Sequence, residues 1–275
     1  MKNFARLFFC VIAALGFVVG CGEDSAAINT DGGPCPLQQG LVGGVPDETH
    51  KAVLAMFGND EGCSGTLIAP RRFVTAAHCC MQSGWRFTVS TTPEGRSEDR
   101  PNDFATVMGT AFVHPKYKFG ELSPYDLCII ALDQPLDIEP IVIAKSAPAL
   151  EAQVTIVGFG KNRINDCNGA EIGYGIRRQG NVVVTNATDE ILETHSSPGD
   201  PVVVIWHGDS GGALLFRGDD GIERLVGVTR SFQSNIGVSA FINAAANRDW
   251  IIGTSTVDAG TIADGDVALD AGTSD

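Results

Sequence analysis

Cations are what this sequence has least of. Its 19 Lys and Arg stand against 33 Asp and Glu, a formal net charge of −14. That balance excludes nucleic acid as a partner, because phosphate backbones demand basic patches. Aromatic residues are also few, at 7%. Amphipathic helical periodicity is nearly missing: only Asn243–Ile252 reads as a helix. A helical architecture is therefore excluded. What remains is a series of short apolar runs set apart by Gly, Pro, Asn and Asp, which points to an all-β fold.

Long hydrophobic runs are missing too, save one. Leu7–Gly20 is apolar and follows Lys2 and Arg6. It is too short to span a bilayer comfortably and fits a secretory signal peptide. It ends in "VVGC", which resembles the lipobox of bacterial lipoproteins. That resemblance makes Cys21 the lipidated first residue of an exported, membrane-anchored protein. The alternative is an ordinary signal peptide cut near the same place. Residues 22–40 are polar and aperiodic and read as a tether or propeptide. Residues 254–275, rich in Asp, Ala, Gly and Thr, cannot bury a core and are expected to be disordered.

Between these ends the candidate strands are Ala52–Phe57, Ser64–Ala69, Arg72–Thr75, Phe87–Thr91, Thr106–Val113, Leu127–Leu132, Gln153–Phe159, Asn181–Val184, Pro201–Trp206, Ala213–Phe216, Arg224–Val228 and Val238–Ile242. The number suits two small barrels or one large sandwich. Asp137–Leu150, rich in Pro and Ala, reads as the crossover between halves.

Three chemical groups stand out. "TAAHCC" places His78 after an apolar strand, "YDLCIIAL" places Asp126 at the head of another, and "HGDSGG" sets Ser210 in a glycine turn. Each is ordinary alone: a His beside cysteines is often structural, and Asp or Ser in a turn is common. Zinc binding by His78, Cys79, Cys80 and Cys63 competes. The spacing lacks a matching second Cys pair, and an exported chain is oxidised.

Taken in order with "LVGG", "GCSGTLIAP", "FVHPKY", "VTIVGFG" and "LVGV", these stretches resemble the chymotrypsin/trypsin family of serine endopeptidases from Leu41 to about Ile252. The resemblance implies two six-stranded antiparallel Greek-key β-barrels, about 41–140 and 141–253, with a C-terminal α-helix. It implies a Ser-His-Asp triad of Ser210, His78 and Asp126, in the chain order His, Asp, Ser. The base would take the serine proton, and the acid would hold the imidazole. The N–H groups of Gly208 and Ser210 would form the oxyanion hole. Cleavage before Leu41 would free an ammonium for Asp209. No cofactor or metal is implied; peptide substrates and a monomer are. A catalytically silent homologue serving as a surface binding module is the alternative, yet no triad residue is lost. A lipid-anchored structural protein is the remaining one, resting on the anchor and tail alone.

The resemblance also orders the cysteines. Cys63–Cys79 matches the family's bridge around the histidine loop. The triad makes His78 and Asp126 neighbours, and Cys80 and Cys128 each follow by two, so strand alternation pairs them. Cys35–Cys167 is left by elimination. The family's bridge behind the specificity pocket is missing, since Trp206 stands where its first cysteine would be. Val204, six residues before Ser210, would floor that pocket, with Gly237 in its wall. A neutral floor points to small or medium apolar P1 residues and away from Arg or Lys. Two registers remain open for "LVGVTRSFQ". One puts Phe232 across the pocket mouth; the other admits an extra residue at Arg230 and leaves the pocket deeper.

Overall fold

The computed structural model describes residues 37–39, 44–58, 61–91, 105–161, 163–165, 170–172, 174–197, 199, 202–233 and 237–253. The expected signal peptide, Cys21, Leu41, the Cys35–Cys167 pair and the acidic tail lie outside the described residues. Among those described, no helix is long and apolar enough to cross a membrane.

Twelve strands form two closed barrels. The first is built from β1 (Val53–Gly58), β2 (Glu61–Ala69), β3 (Arg72–Thr75), β4 (Arg86–Ser90), β5 (Thr106–Val113) and β6 (Cys128–Leu132). The second uses β7 (Gln153–Gly158), β8 (Arg178–Ala187), β9 (Ile191–His195), β10 (Ala213–Arg217), β11 (Glu223–Gln233) and β12 (Val238–Asn243). All the pairings that close each barrel are antiparallel. Around each ring the strands run first, second, third, sixth, fifth, fourth. Two short helices complete the framework: α1 (Ala77–Cys80) after β3, and α2 (Arg248–Gly253) after β12.

Alternation sends every second side chain inward, and each barrel fills its own interior. Leu54, Met56, Leu67, Phe73, Phe87 and Ile130 fill the first. Val154, Ile156, Val182, Leu192, Leu214 and Phe241 fill the second. A third apolar cluster joins the barrels, with Val53, Ile68, Val74 and Leu127 meeting Val157, Leu215, Val228 and Ile251. The functional residues lie along this seam.

Three expectations from the sequence are corrected. Pro201–Trp206 is not a strand over its described residues. Side-chain hydroxyls take the place of a ladder there: Val203 N–H donates to Ser196 Oγ (2.6 Å) and Ile205 N–H to Ser239 Oγ (3.3 Å). The strand at Ile191–His195 was not expected, because Glu193 and His195 interrupt its short apolar pattern. The final helix begins at Arg248, not Asn243. Asn243 stays in the ladder opposite Gly227, and its side-chain oxygen accepts from Ala246 N–H (3.2 Å).

Candidate active site

The histidine arrives on α1, held at two consecutive residues. Cys79 is bonded to Cys63 on β2, and Cys80 to Cys128 on β6. Both expected pairings are found, and these four cysteines are thereby unavailable as zinc ligands. Cys128 lies two residues past Asp126, so the second bridge fixes His78 and Asp126 to one another. Asp126 Oδ2 sits 2.7 Å from His78 Nδ1, and Oδ1 accepts the His78 backbone N–H at 2.8 Å. A carboxylate only accepts, so the imidazole proton sits on Nδ1 and Nε2 is left as the acceptor. The Asp126 side chain is 7% exposed and that of His78 33%, which leaves one edge of the base open to solvent.

Ser210 comes from the second barrel, in a turn spanning Trp206 to Gly212. Asp209 N–H donates to Trp206 O (3.0 Å), and Gly212 N–H to Asp209 O (2.8 Å). Gly208 (φ 94°) and Gly211 (φ 80°) supply the left-handed conformations. A Cβ on Gly211 would strike the Thr75 hydroxyl and the Ser64 carbonyl oxygen, so only glycine lets the turn approach the first barrel.

One residue the sequence did not single out joins the halves. Ser64, fully buried on β2, donates its N–H to Ser210 O (2.8 Å) and its hydroxyl to Gly208 O (2.8 Å). The same hydroxyl accepts Phe159 N–H (2.9 Å), and Ser64 O accepts from Thr75 Oγ1 (2.7 Å). Cys79 Sγ lies 3.8 Å from Ser210 O. The residue beside His78 thus touches the Ser210 backbone. Its only sequence signal was a hydroxyl at the second position of "CSGT".

Asp209 is buried behind the turn. Its carboxylate accepts N–H from Trp206 (2.8 Å) and Gly160 (2.7 Å). Burial pushes its pKa up to about 6, against those two N–H groups and the nearby Arg178 cation, which pull it down. The same carboxylate, together with burial, pushes up the phenol of Tyr174, which lies against Gly208.

Ser210 opens onto a cavity of about 200 Å³. Ile205, Trp206 and His207 line one side, and Thr229, Arg230 and Ser231 the other. Val204 and Gly237 do not line it. Val204 is buried, and its side chain lies 3.9 Å from where a Gly237 Cβ would be. β11 pairs with β12 through a bulge between Thr229 and Ser231, so Arg230 is the unpaired residue. The backbone of Phe232 continues the ladder opposite Ser239.

A family model described as Trypsin matches residues 41–251. Over 203 residues the chain is 27% identical to a trypsin from Saccharopolyspora erythraea, covering 69% of this chain and 85% of that one. It is 25% identical to chymotrypsin-C from Bos taurus over 206 residues, covering 69% and 76%. It is also 25% identical to chymotrypsin-C from Mus musculus over 264 residues, covering 87% and 95%.

Proposed function

The chain belongs to the trypsin family of serine endopeptidases, and on that premise we propose that it cleaves peptide bonds with Ser210 as nucleophile, His78 as general base and Asp126 as the residue that holds the imidazole. The observation that carries this reading is the double contact of Asp126 with His78, 2.7 Å at Nδ1 and 2.8 Å at the backbone N–H. It fixes the ring with Nε2 ready to receive the serine proton and to pass it to the leaving amine. The Gly208 and Ser210 N–H groups serve the oxyanion. Among the described residues neither donates to another acceptor, and Ser64 fixes the Gly208 carbonyl the other way.

Activation follows cleavage before Leu41. Pro46 pairs with Arg178, whose cation is near enough to stabilise the Asp209 carboxylate. Pro46 lies five positions after Leu41, a reach of about 16 Å in an extended chain. A freed Leu41 ammonium can therefore seek Asp209, whose raised pKa reflects burial without a full counter-charge. Gly40 precedes the bond, so the activating protease is not Arg- or Lys-directed. The chain acts as an exported monomer held to a membrane by lipid on Cys21, and after cleavage before Leu41 the Cys35–Cys167 bridge keeps the two pieces joined.

The pocket is non-tryptic. Val204 offers no counter-charge, and among the described residues no acidic one lines the cavity. Small or medium apolar P1 side chains fit beside Ile205 and Trp206. Arg230 favours a second reading, an acidic P1 residue, since a cation on the wall attracts a carboxylate and repels Lys or Arg. The bulge at Arg230 supports the deeper of the two pocket registers. One experiment tests the whole reading. Active chain is labelled with a fluorophosphonate, the modified peptide is mapped, and a P1-scanning peptide library is digested. Label on Ser210, lost in Ser210→Ala with unchanged circular dichroism, is expected. Cleavage mainly after Arg or Lys would overturn the pocket assignment; turnover in Ser210→Ala would overturn the triad.

A further inference from the structure

The "FVHPKY" stretch takes no part in the triad or the cavity, yet its histidine brackets Asp126. His114 is buried at 6% exposure. Its ring stacks on Tyr125, with centroids 4.8 Å apart and planes at 13°. Tyr125 is the residue before Asp126. The His114 backbone N–H donates to the carbonyl of Leu127, the residue after Asp126, at 2.9 Å. One residue thus grips the chain on both sides of the acid.

His114 is itself held. Its Nδ1 accepts Lys116 N–H at 3.2 Å, and the Lys116 ammonium lies 5.0 Å from the centre of the Tyr125 ring. Burial first, and the Lys116 charge second, push the His114 pKa down to about 4, so the ring stays a neutral acceptor at ordinary pH. Tyr117, from the same stretch, faces Asp126; burial and that carboxylate push its phenol up to about 12.

The remaining support comes from the far end of the chain. Trp250 of α2 lies 4.4 Å, centroid to centroid, from the His114 ring. α2 is pinned to the first barrel by Arg72 Nη1, which donates to Ile252 O at 2.5 Å. Ile251 is buried in the same cluster as Leu127. A helix that follows the last strand of the second barrel therefore ends on the loop that carries the acid of the first.

We propose that α2 is a strap that positions Asp126, with Trp250 and His114 as positioning residues that act through Tyr125 and Leu127. The requirement for such a strap is geometric. Asp126 must meet two donors of His78 at once, and about 1 Å of misplacement in a catalytic group can cost on the order of 100-fold in rate. The disulfide at Cys128 secures the strand side of Asp126; on the loop side the Tyr125 ring stacks on His114.

The inference rests on the triad reading, and the test separates the two. Activated Trp250→Ala, Trp250→Phe, His114→Leu and Asp126→Asn are compared with wild type for kcat, KM and the pH dependence of kcat. Trp250→Ala is expected to lower kcat about 10- to 100-fold with KM within about twofold. Its acidic limb should move to lower pH, because a loosened carboxylate stabilises the His78 imidazolium less. Trp250→Phe should restore most of both. A Trp250→Ala enzyme with a lower Tm but wild-type kcat and limb would overturn the strap. If Trp250→Ala does not fold, His114→Leu carries the test: it keeps apolar bulk and removes the ring that stacks on Tyr125 and meets Trp250. A limb shift in the same direction supports the strap, and an unshifted limb overturns it. Wild-type behaviour in Asp126→Asn would instead sink the triad.

Discussion

The two barrels share one strand order and differ in how they hold their part of the chemistry. The first holds His78 and Asp126 by covalent means, with two disulfides meeting at α1. The second holds Ser210 without a disulfide of its own among the described residues. It uses a glycine turn, a buried carboxylate and hydroxyl-to-backbone bonds. The difference has a physical reason. α1 is four residues long, with no side-chain cap at Ala76, and could not hold the His78 ring alone. In the serine turn the restraints from the first barrel act on the Gly208 and Ser210 carbonyls, and the Asp209 carboxylate holds the turn from behind. Cross-links stiffen one side, while exchangeable hydrogen bonds hold the other.

The sharpest way to break this asymmetry is to remove the bridges. Cys63–Cys79 closes a separation of 16 residues and Cys80–Cys128 one of 48. Loop-closure entropy assigns them about 3 and about 4 kcal/mol. Cys80→Ala/Cys128→Ala should therefore lower the unfolding free energy more. Cys63→Ala/Cys79→Ala should lower kcat more, because it frees the segment that touches Ser210. Denaturant melts and turnover on both double variants test this. Equal effects of the two on kcat would show that the bridges are interchangeable staples.

The join between the barrels comes next. Ser64→Ala keeps the fold's shape but leaves the Phe159 N–H and the Gly208 carbonyl without their side-chain partner. Stranding buried polar groups costs about 1–3 kcal/mol. With Gly208 no longer oriented, kcat should fall while KM holds. A variant that loses stability at unchanged kcat would show that the turn aligns itself without the first barrel.

What was legible in the sequence follows this same division. The resemblance made His78 and Asp126 neighbours, and Cys128 stands two residues past Asp126 at the head of a strand, so the Cys80–Cys128 pairing could be worked out in advance. The second barrel was harder. The segment before Trp206 is apolar enough to read as a strand, and nothing local shows that Ser196 and Ser239 take its N–H groups. The matching strand order of the barrels left no repeat in the residues, because topology constrains inward positions to be apolar without fixing which apolar residue fills them. The bulge at Arg230 lay between two registers that no spacing could separate. Charge pairs far apart in the chain were illegible for a simpler reason: Arg177 meets Asp47 across 130 residues, and neither neighbourhood records the other.

That last pair belongs to a network with the smallest expected effect. His50 lies between two carboxylates, its Nδ1 3.0 Å from Asp47 and its Nε2 2.9 Å from Glu223. Arg177 Nε also meets Asp47, at 3.0 Å. The network ties the segment following Leu41 to the second barrel, through β8's neighbour Arg177 and the first residue of β11. Burial opposes a charge on His50, yet the two carboxylates win and push its pKa up to about 9 from 6.5. A raised histidine pKa contributes stability that is fully present below the unfolded value. It is lost as pH rises through the folded value. The contribution should thus be intact below about pH 6.5 and fade between there and about pH 9. Thermal melts of wild type should fall by a few degrees across that window. His50→Gln should have a lower Tm at pH 6 and a flatter profile above it. Parallel profiles for the two proteins would mean that His50 is held by packing alone. The hydrogen-bonded second barrel would then grip the activation segment without this ionic latch.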